Sequence, residues 1–427
     1  MSRTAVSALL AGLMVLFTGL MVLAQAGLAT AAPMNFYFVG PELYPDSYSV
    51  GGNFGATVDT DGATAIVGSR AGGAGLGSGS AFLYDAASAS SLYKLAPDDG
   101  LAGDRFGDAV AVAGAYALVG ANGSLVGNGA GSAYVFDVAT GVQSWKLTAD
   151  DGASGDSFGD AVDLAGSLAL VGAPLSDAMG INSGAAYVFD VTTGTQSQKL
   201  VADDIGDFSQ FGYSVSLDGT TALIGSRIDD GDPLGTGAAY LFNATTGDQL
   251  QKLTPPVATT GDRFGEAVAL EAGMALVGAA RGGGGPGAAY LYDAATGGLL
   301  QEFVPSDGAF GFNFGVSVAL WDDIALIGAS GAIVDGVVTG AVYAFDTASG
   351  QELGRFVDAF GAAGDNLGVA VAYQGGKAAF GTSFYSFYEL RAGTAFLLEI
   401  GEIPEPSSAL LMLTLVVGTT MRTARHG

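Results

Sequence analysis

Acidic residues gather at three places in the chain: Asp98 and Asp99 with Asp104, Asp150 and Asp151 with Asp156, and Asp203 and Asp204 with Asp207. Gly100 and Gly152 follow the first two pairs and permit a sharp turn. Three carboxylates within so few residues are a candidate Ca²⁺ loop, because that ion takes about 6 to 8 oxygen ligands from a chain that folds around it. Asp and Gly are also ordinary turn formers, so the same pattern has a purely structural reading. Asp262, Asp307 and Asp365 are thinner copies later in the chain.

Other chemistry is narrower. The chain has no Cys, and its single His is His426. Thiol catalysis, Cys/His metal sites and His-based triads are therefore excluded. Acids outnumber Lys plus Arg by 42 to 15, giving a net charge of −27, which rules against a nucleic-acid partner. Glycoside cleavage needs only two carboxylates, so a lyase or glycosidase stays open as an alternative. The acids are spread over several copies rather than clustered, and Trp145 and Trp321 fall in or beside expected strands.

These acids sit in a repeat. Phe-Gly recurs at Phe54, Phe106, Phe158, Phe211, Phe264 and Phe314, with Leu367-Gly368 as a seventh copy, every 50 to 53 residues. A fixed period of that length marks an array of structural units. Each copy continues with an Ala-Leu-Val-Gly-Ala step (such as 117–121) and a Gly-Ala-Ala-Tyr-Val-Phe-Asp step (such as 184–190), and ends near Lys-Leu. Each step is short, rich in Val, Tyr and Phe, and bounded by Gly or Asp, so each unit reads as four strands. Both faces of these strands are apolar, as in sheets packed between sheets. The expected fold is all-β, a seven-bladed β-propeller of four-stranded blades over residues 33–401.

The ends of the array support a closed ring. Each Phe-Gly lies 11 residues after the last apolar residue of the preceding unit, from Leu95 to Phe106 through Phe356 to Leu367, and Leu43 to Phe54 obeys the same rule. The seventh unit has no closing strand of its own, so Leu43 and its neighbours are expected to complete it and remove the exposed edge.

Phe-Gly-x-Ala-Val, then Val171 to Pro174 (Val-Gly-Ala-Pro), then Gly-Ala-Ala-Tyr-Val-Phe resembles the FG-GAP repeats of integrin α-subunits and their bacterial relatives. The resemblance implies that ligand binds the face carrying the second-to-third and fourth-to-first strand connections. It also implies Ca²⁺ in first-to-second strand turns on the opposite face, but only Asp59-Thr60-Asp61-Gly62 keeps a fragment of that acidic loop. On the ligand face, Arg70, Arg227 and Arg281 stand near Asp229, Asp230 and Asp232 and are candidates for a polar groove. Asp85, Asp137, Asp190, Asn243, Asp293, Asp346 and Glu399 close the third steps and read as turn formers. Asp108, Asp160 and Glu266 read as solvated strand-edge residues.

Two terminal segments read as addresses. Residues 1–32 carry Arg3, an apolar run and two small-residue cleavage patterns ending at Ala26 and Ala31, as in a secretory signal peptide. At the other end, Pro404-Glu405-Pro406 precedes an apolar run from Ala409 to Met421 and then Arg422 and Arg425. This order resembles the PEP-CTERM sorting signal of exported bacterial proteins over residues 402–427. The resemblance implies a transient membrane anchor, processing by an exosortase-type enzyme, and bacteria that make extracellular polysaccharide. The expected protein is an exported, non-enzymatic binding or adhesion scaffold at the cell surface or in the matrix, with glycan or protein as ligand and Ca²⁺ as its one candidate cofactor.

Overall fold

In a computed structural model the described residues are 35–38, 42–43, 52–70, 78–123, 129–228, 235–257, 259, 261–280, 285–309, 311–383 and 393–400. The expected signal segment 1–32, the sorting tail 402–427, Arg281, Asp229, Asp230 and Asp232 lie outside them.

The described chain is all strand, turn and coil, in seven four-stranded antiparallel sheets. Blade one is Phe54–Thr60, Thr64–Ser69, Ser80–Asp85 and Ser91–Leu95. Blades two to six follow at 109–147, 162–200, 211–253, 264–303 and 314–358, each with the same order of strands. The first strand of each blade packs against the first strands of its two neighbours, and 370–374 of blade seven returns to Phe54–Thr60 of blade one. The first strands therefore form the inner wall of a closed ring and the fourth strands its rim.

Seven apolar clusters hold the ring together. Each spans one seam, as where Leu83 and Leu95 of blade one meet Phe106, Val119 and Tyr134 of blade two. The second and third strands of each blade are thus buried on both faces, which is why neither side of them could be polar, whereas the fourth strands, as Ser91–Leu95, are largely exposed. Within a blade the Phe of Phe-Gly lies edge-on to two aromatics of the third strand, as Phe106 does to Tyr134 at 5.6 Å and Phe136 at 5.8 Å.

The glycine beside that phenylalanine is required by the seam. Gly55 has φ +83°, and a Cβ there would sit 2.0 Å from the Thr394 carbonyl oxygen of blade seven. Only a residue without a side chain allows that approach.

The seventh blade closes as expected. Glu42 pairs with Phe396 and Leu43 with Ala395, antiparallel, and Leu43 is buried. One feature of the N-terminal segment was not legible. Asn35–Phe38 adds a fifth strand to blade six, parallel to its fourth strand, with Phe36 opposite Phe356 in register and ring to ring at 5.3 Å. The segment thus pairs with two consecutive blades.

Candidate functional site

The acids of the fourth-to-first connections do not converge. The second Asp of each pair clamps the loop to the next blade. Asp99 accepts from the Tyr134 hydroxyl at 2.8 Å and pairs with Lys146. Asp151 does the same with Tyr187 at 3.0 Å and Lys199 at 2.5 Å, and Asp307 with Tyr343 at 2.8 Å and Arg355. Asp204 pairs with Lys252 at 2.6 Å. The Lys146 hydrogen bond, helped by Tyr134, holds the Asp99 carboxyl below the usual carboxylate range.

The remaining acids have other tasks. Asp104 and Asp156 each fold back on their own loop, accepting the Leu101 and Ala153 amides at 2.6 and 2.8 Å. Asp262 and Asp365 repeat that bond. Asp207 accepts the Ile181 amide at 2.7 Å. Asp98, Asp150 and Asp203 are exposed and fixed through their backbone amides, which donate to Gln143, Gln196 and Gln249. Among the described residues no three acidic side chains are placed to share a metal ion.

On the opposite face Asp59 and Asp61 accept amides of the next blade, Val112 at 2.7 Å and Gly114 at 2.9 Å. Asp163 of blade three repeats this with the Leu217 amide at 2.6 Å. Burial, then repulsion by Asp163, pushes the Asp59 carboxyl up to about 8. Burial pushes Asp163 to about 6.

Charge does converge at the mouth of the ring on the Phe-Gly face. The residue after Phe-Gly is Asp108, Asp160, Tyr213 and Glu266 in blades two to five. Asp108 and Glu266 have side chains only 7% and 10% exposed, and Asp160 is buried deeply enough to raise its carboxyl to about 6. The expectation that these acids are solvated edge residues is therefore corrected: ring closure turns them inward. Four arginines meet them. Arg70 pairs with Asp108 at 2.9 Å, Arg105 approaches it at 3.9 Å, and Arg263 stands 3.8 Å from Glu266. Arg227 stacks on the Tyr213 ring at 3.9 Å and donates through Nε to Gln210 at 2.5 Å. Burial, then Glu266, pushes the Tyr213 hydroxyl up to about 12. Asn122 bridges two acids, donating from Nδ2 to Asp108 at 2.6 Å and to Asp160 at 2.7 Å.

A cavity of about 180 Å³ opens here across blades two to four, lined by Arg105, Asn122, Asp160, Gln210, Tyr213 and Arg227 among others. Its rim is built on a strained turn. The residue before each Phe-Gly has φ between 50° and 58°: Asn53, Arg105, Ser157, Gln210, Arg263, Asn313 and Asn366. Its carbonyl accepts the amide three residues on, as Arg105 does from Asp108 at 3.0 Å. Asn tolerates this left-handed conformation best, and three blades use it. Blades two, three, four and five hold Arg, Ser, Gln and Arg there instead, and these are the blades that carry the polar mouth residues Asp108, Asp160, Tyr213 and Glu266.

The FG-GAP repeat pattern matches five stretches, 90–136, 142–189, 195–242, 248–292 and 298–345, which together cover more than half of the chain. The chain belongs to the FG-GAP repeat family. Each matched stretch starts at the fourth strand of one blade, or one residue before it, and ends in the third strand of the next, so FG-GAP units are offset by one strand from the blades. Geometry supplies the two blades beyond the five matches. Among solved structures, the chain resembles a crystal structure of the computationally designed Ika8 protein at 14% identity and TM-score 0.50, over 86% of this chain and 100% of that one. That likeness concerns the fold alone. No curated protein matches the chain.

The charged mouth lies on the face that the FG-GAP resemblance assigns to ligand, and its acids are not those of the fourth-to-first connections. Arg70 and Arg227 were legible as groove candidates, whereas Asp108, Asp160, Tyr213, Glu266 and Asn122 were not. A signal was present: in a chain with only 15 basic residues, Arg105 and Arg263 immediately precede Phe-Gly, two blades that carry an acid directly after it.

Proposed function

We propose that this FG-GAP chain is an exported, non-enzymatic protein of the bacterial surface or matrix, and that its propeller is a binding scaffold for a glycan or a protein. The observation that carries the reading is the mouth on the Phe-Gly face. It has a cavity, buried charged groups and strained positions that carry long polar side chains. Residues held in unfavourable backbone conformations concentrate at working sites. Export rests on the signal-like segment 1–32. Processing by an exosortase-type enzyme, with transient membrane anchoring, rests on Pro404-Glu405-Pro406 and the apolar run behind it.

One observation favours a glycosidase as the second reading. Asp108 and Asp160 both accept from Asn122 Nδ2 at 2.6 and 2.7 Å, so the two carboxylates stand close together, with their bonded oxygens nearer to each other than the sum of the two bonds. A retaining pair of carboxylates needs about 5 to 5.5 Å. Here the Asn122 amide fills the space where a sugar carbon would react, which supports binding over cleavage.

Incubating the full chain with extracellular polysaccharide from its producing cells distinguishes the two. Retention on the polysaccharide without new sugar ends is expected; steady release of reducing or unsaturated ends would replace the scaffold by an enzyme. For the address, Pro404→Ala with Glu405→Ala is expected to hold the chain at the inner membrane, and unchanged release into the medium would remove the sorting role.

A further inference from the structure

We propose that the cavity between blades two and four binds a single acidic sugar unit, a hexuronate, within a polysaccharide chain. The proposal rests on the binding-scaffold reading above and specifies its ligand.

The charge of the site comes first. Among the described residues its lining has two guanidinium groups, Arg105 and Arg227, against one carboxylate, Asp160, in a chain whose net charge is −27. Arg105 stands 3.9 Å from Asp108, beyond hydrogen-bond distance, so that pairing leaves its charge unbonded. Arg227 is held in place by the Tyr213 ring below it and by Gln210 at Nε. Guanidinium groups fixed in this way recognise carboxylates.

A second observation separates a sugar acid from any other carboxylate. Asp160 lines the same cavity, its Oδ1 held by Asn122 Nδ2 at 2.7 Å, and its carboxylate accepts hydrogen bonds but cannot donate them. Asn122 itself is 2% exposed and its Oδ1 is buried, so it shapes the site without touching a ligand. An acidic peptide side chain brings acceptors only, which Asp160 repels. A uronate ring brings hydroxyl donors for Asp160 beside a carboxylate for the arginines. The cavity of about 180 Å³ is smaller than the roughly 300–1,000 Å³ of drug-sized sites and suits one ring, with the chain continuing into the open mouth.

The test is equilibrium binding of the full chain to labelled oligosaccharides of glucuronate and of galacturonate, to neutral glucose and galactose oligosaccharides of equal length, and to an oligoglutamate peptide. Uronate oligosaccharides are expected to bind, the neutral ones and the peptide at least tenfold more weakly. Arg105→Gln and Arg227→Gln are each expected to weaken uronate binding about tenfold or more, while Lys94→Gln on the rim leaves it unchanged. If Arg227→Gln does not fold, as judged by its melt, Arg105→Gln alone decides. No uronate binding by the folded chain, or binding that ignores the arginine variants, overturns the proposal. Preference for neutral sugar or for oligoglutamate overturns it while the scaffold reading survives. Cleavage of any oligosaccharide overturns the non-enzymatic reading itself.

Discussion

Lys146, on the fourth strand of blade two, pairs with Asp99, on the loop that leads into that blade from blade one. The same pair recurs as Lys199 with Asp151, Lys252 with Asp204 and Arg355 with Asp307. Where the fourth strand carries an acid instead, Glu302 in blade five and Glu42 in blade seven, the loop position holds Val257 and Phe360. In blade one Lys94 lies over the Phe82 ring at 5.7 Å. The carboxylate is present wherever the described structure gives it a partner, which makes these acids inter-blade clamps.

The clamps are half exposed on the Asp side, so solvent screens most of their attraction. A double-mutant cycle on Lys199 and Asp151 in urea is expected to give a coupling of about 0.2–1 kcal/mol. Arg355 is different because its side chain is only 8% exposed. Arg355→Met is expected to cost several-fold more than Lys199→Met, since it leaves Asp307 without its cation. Equal losses would refute the dependence on burial.

Calcium is the next test. In the first acidic loop Asp99 is committed to Lys146 and Asp104 to the Leu101 amide, which leaves Asp98. A ligand specific to the folded state raises the unfolding midpoint by mass action. Thermal unfolding of the full chain is therefore expected to be the same in millimolar Ca²⁺ and in excess chelator. A rise that disappears when Asp98, Asp99 and Asp104 become Ala would restore the metal reading for these loops.

Two glycines with positive φ should respond very differently to alanine. At Gly55 the new methyl would meet the Thr394 carbonyl at 2.0 Å, across the seam that closes the ring. At Gly114, φ +58°, nothing lies within 4 Å. Gly114→Ala is expected to lose about 1 to 2 kcal/mol, the backbone term alone. Gly55→Ala is expected to lose clearly more, because backbone atoms of blade seven must move. Thermal or urea melts of the pair measure the difference, and similar losses would show that the seam is loose.

Asp59 gives the chain a pH dependence. Its folded carboxyl titrates at about 8, far above an unfolded aspartate, chiefly because it is buried. Between those two values the folded state binds a proton that the unfolded state does not. Stability should thus be highest below about pH 4, as far as this group is concerned, and fall as pH rises toward 8, by up to about 1.4 kcal/mol per unit. Asp59→Asn keeps an acceptor for the Val112 amide and removes the titration. Its melts from pH 5 to 8 are expected to be flatter than those of the parent and higher at pH 8; parallel curves would show that Asp59 is not the source.

The repeat period, the glycines and the two-sided apolar strands were legible because they come from local rules applied seven times. Strand pairing within a blade, the Asx-type turns such as Asp137 with Thr140, and closure through Leu43 all follow from spacing along one chain. The parallel strand Asn35–Phe38 does not. Four residues with two pairing edges within reach carry no mark of which one they join.

The site divides in the same way. The sequence by itself determined that this is a seven-fold ring of sheets, with no Cys and a single His, because residue types and periodicity are properties of the linear chain. Which acids are buried, and what each one holds, was decided only by the tertiary structure. Asp99 and Asp108 are nine residues apart and equally acidic on paper, yet one clamps a rim and the other lies under Arg70 at the mouth. Their partners are 47 and 38 residues away, and only the folding of blade two and its packing against blade one bring those charges together.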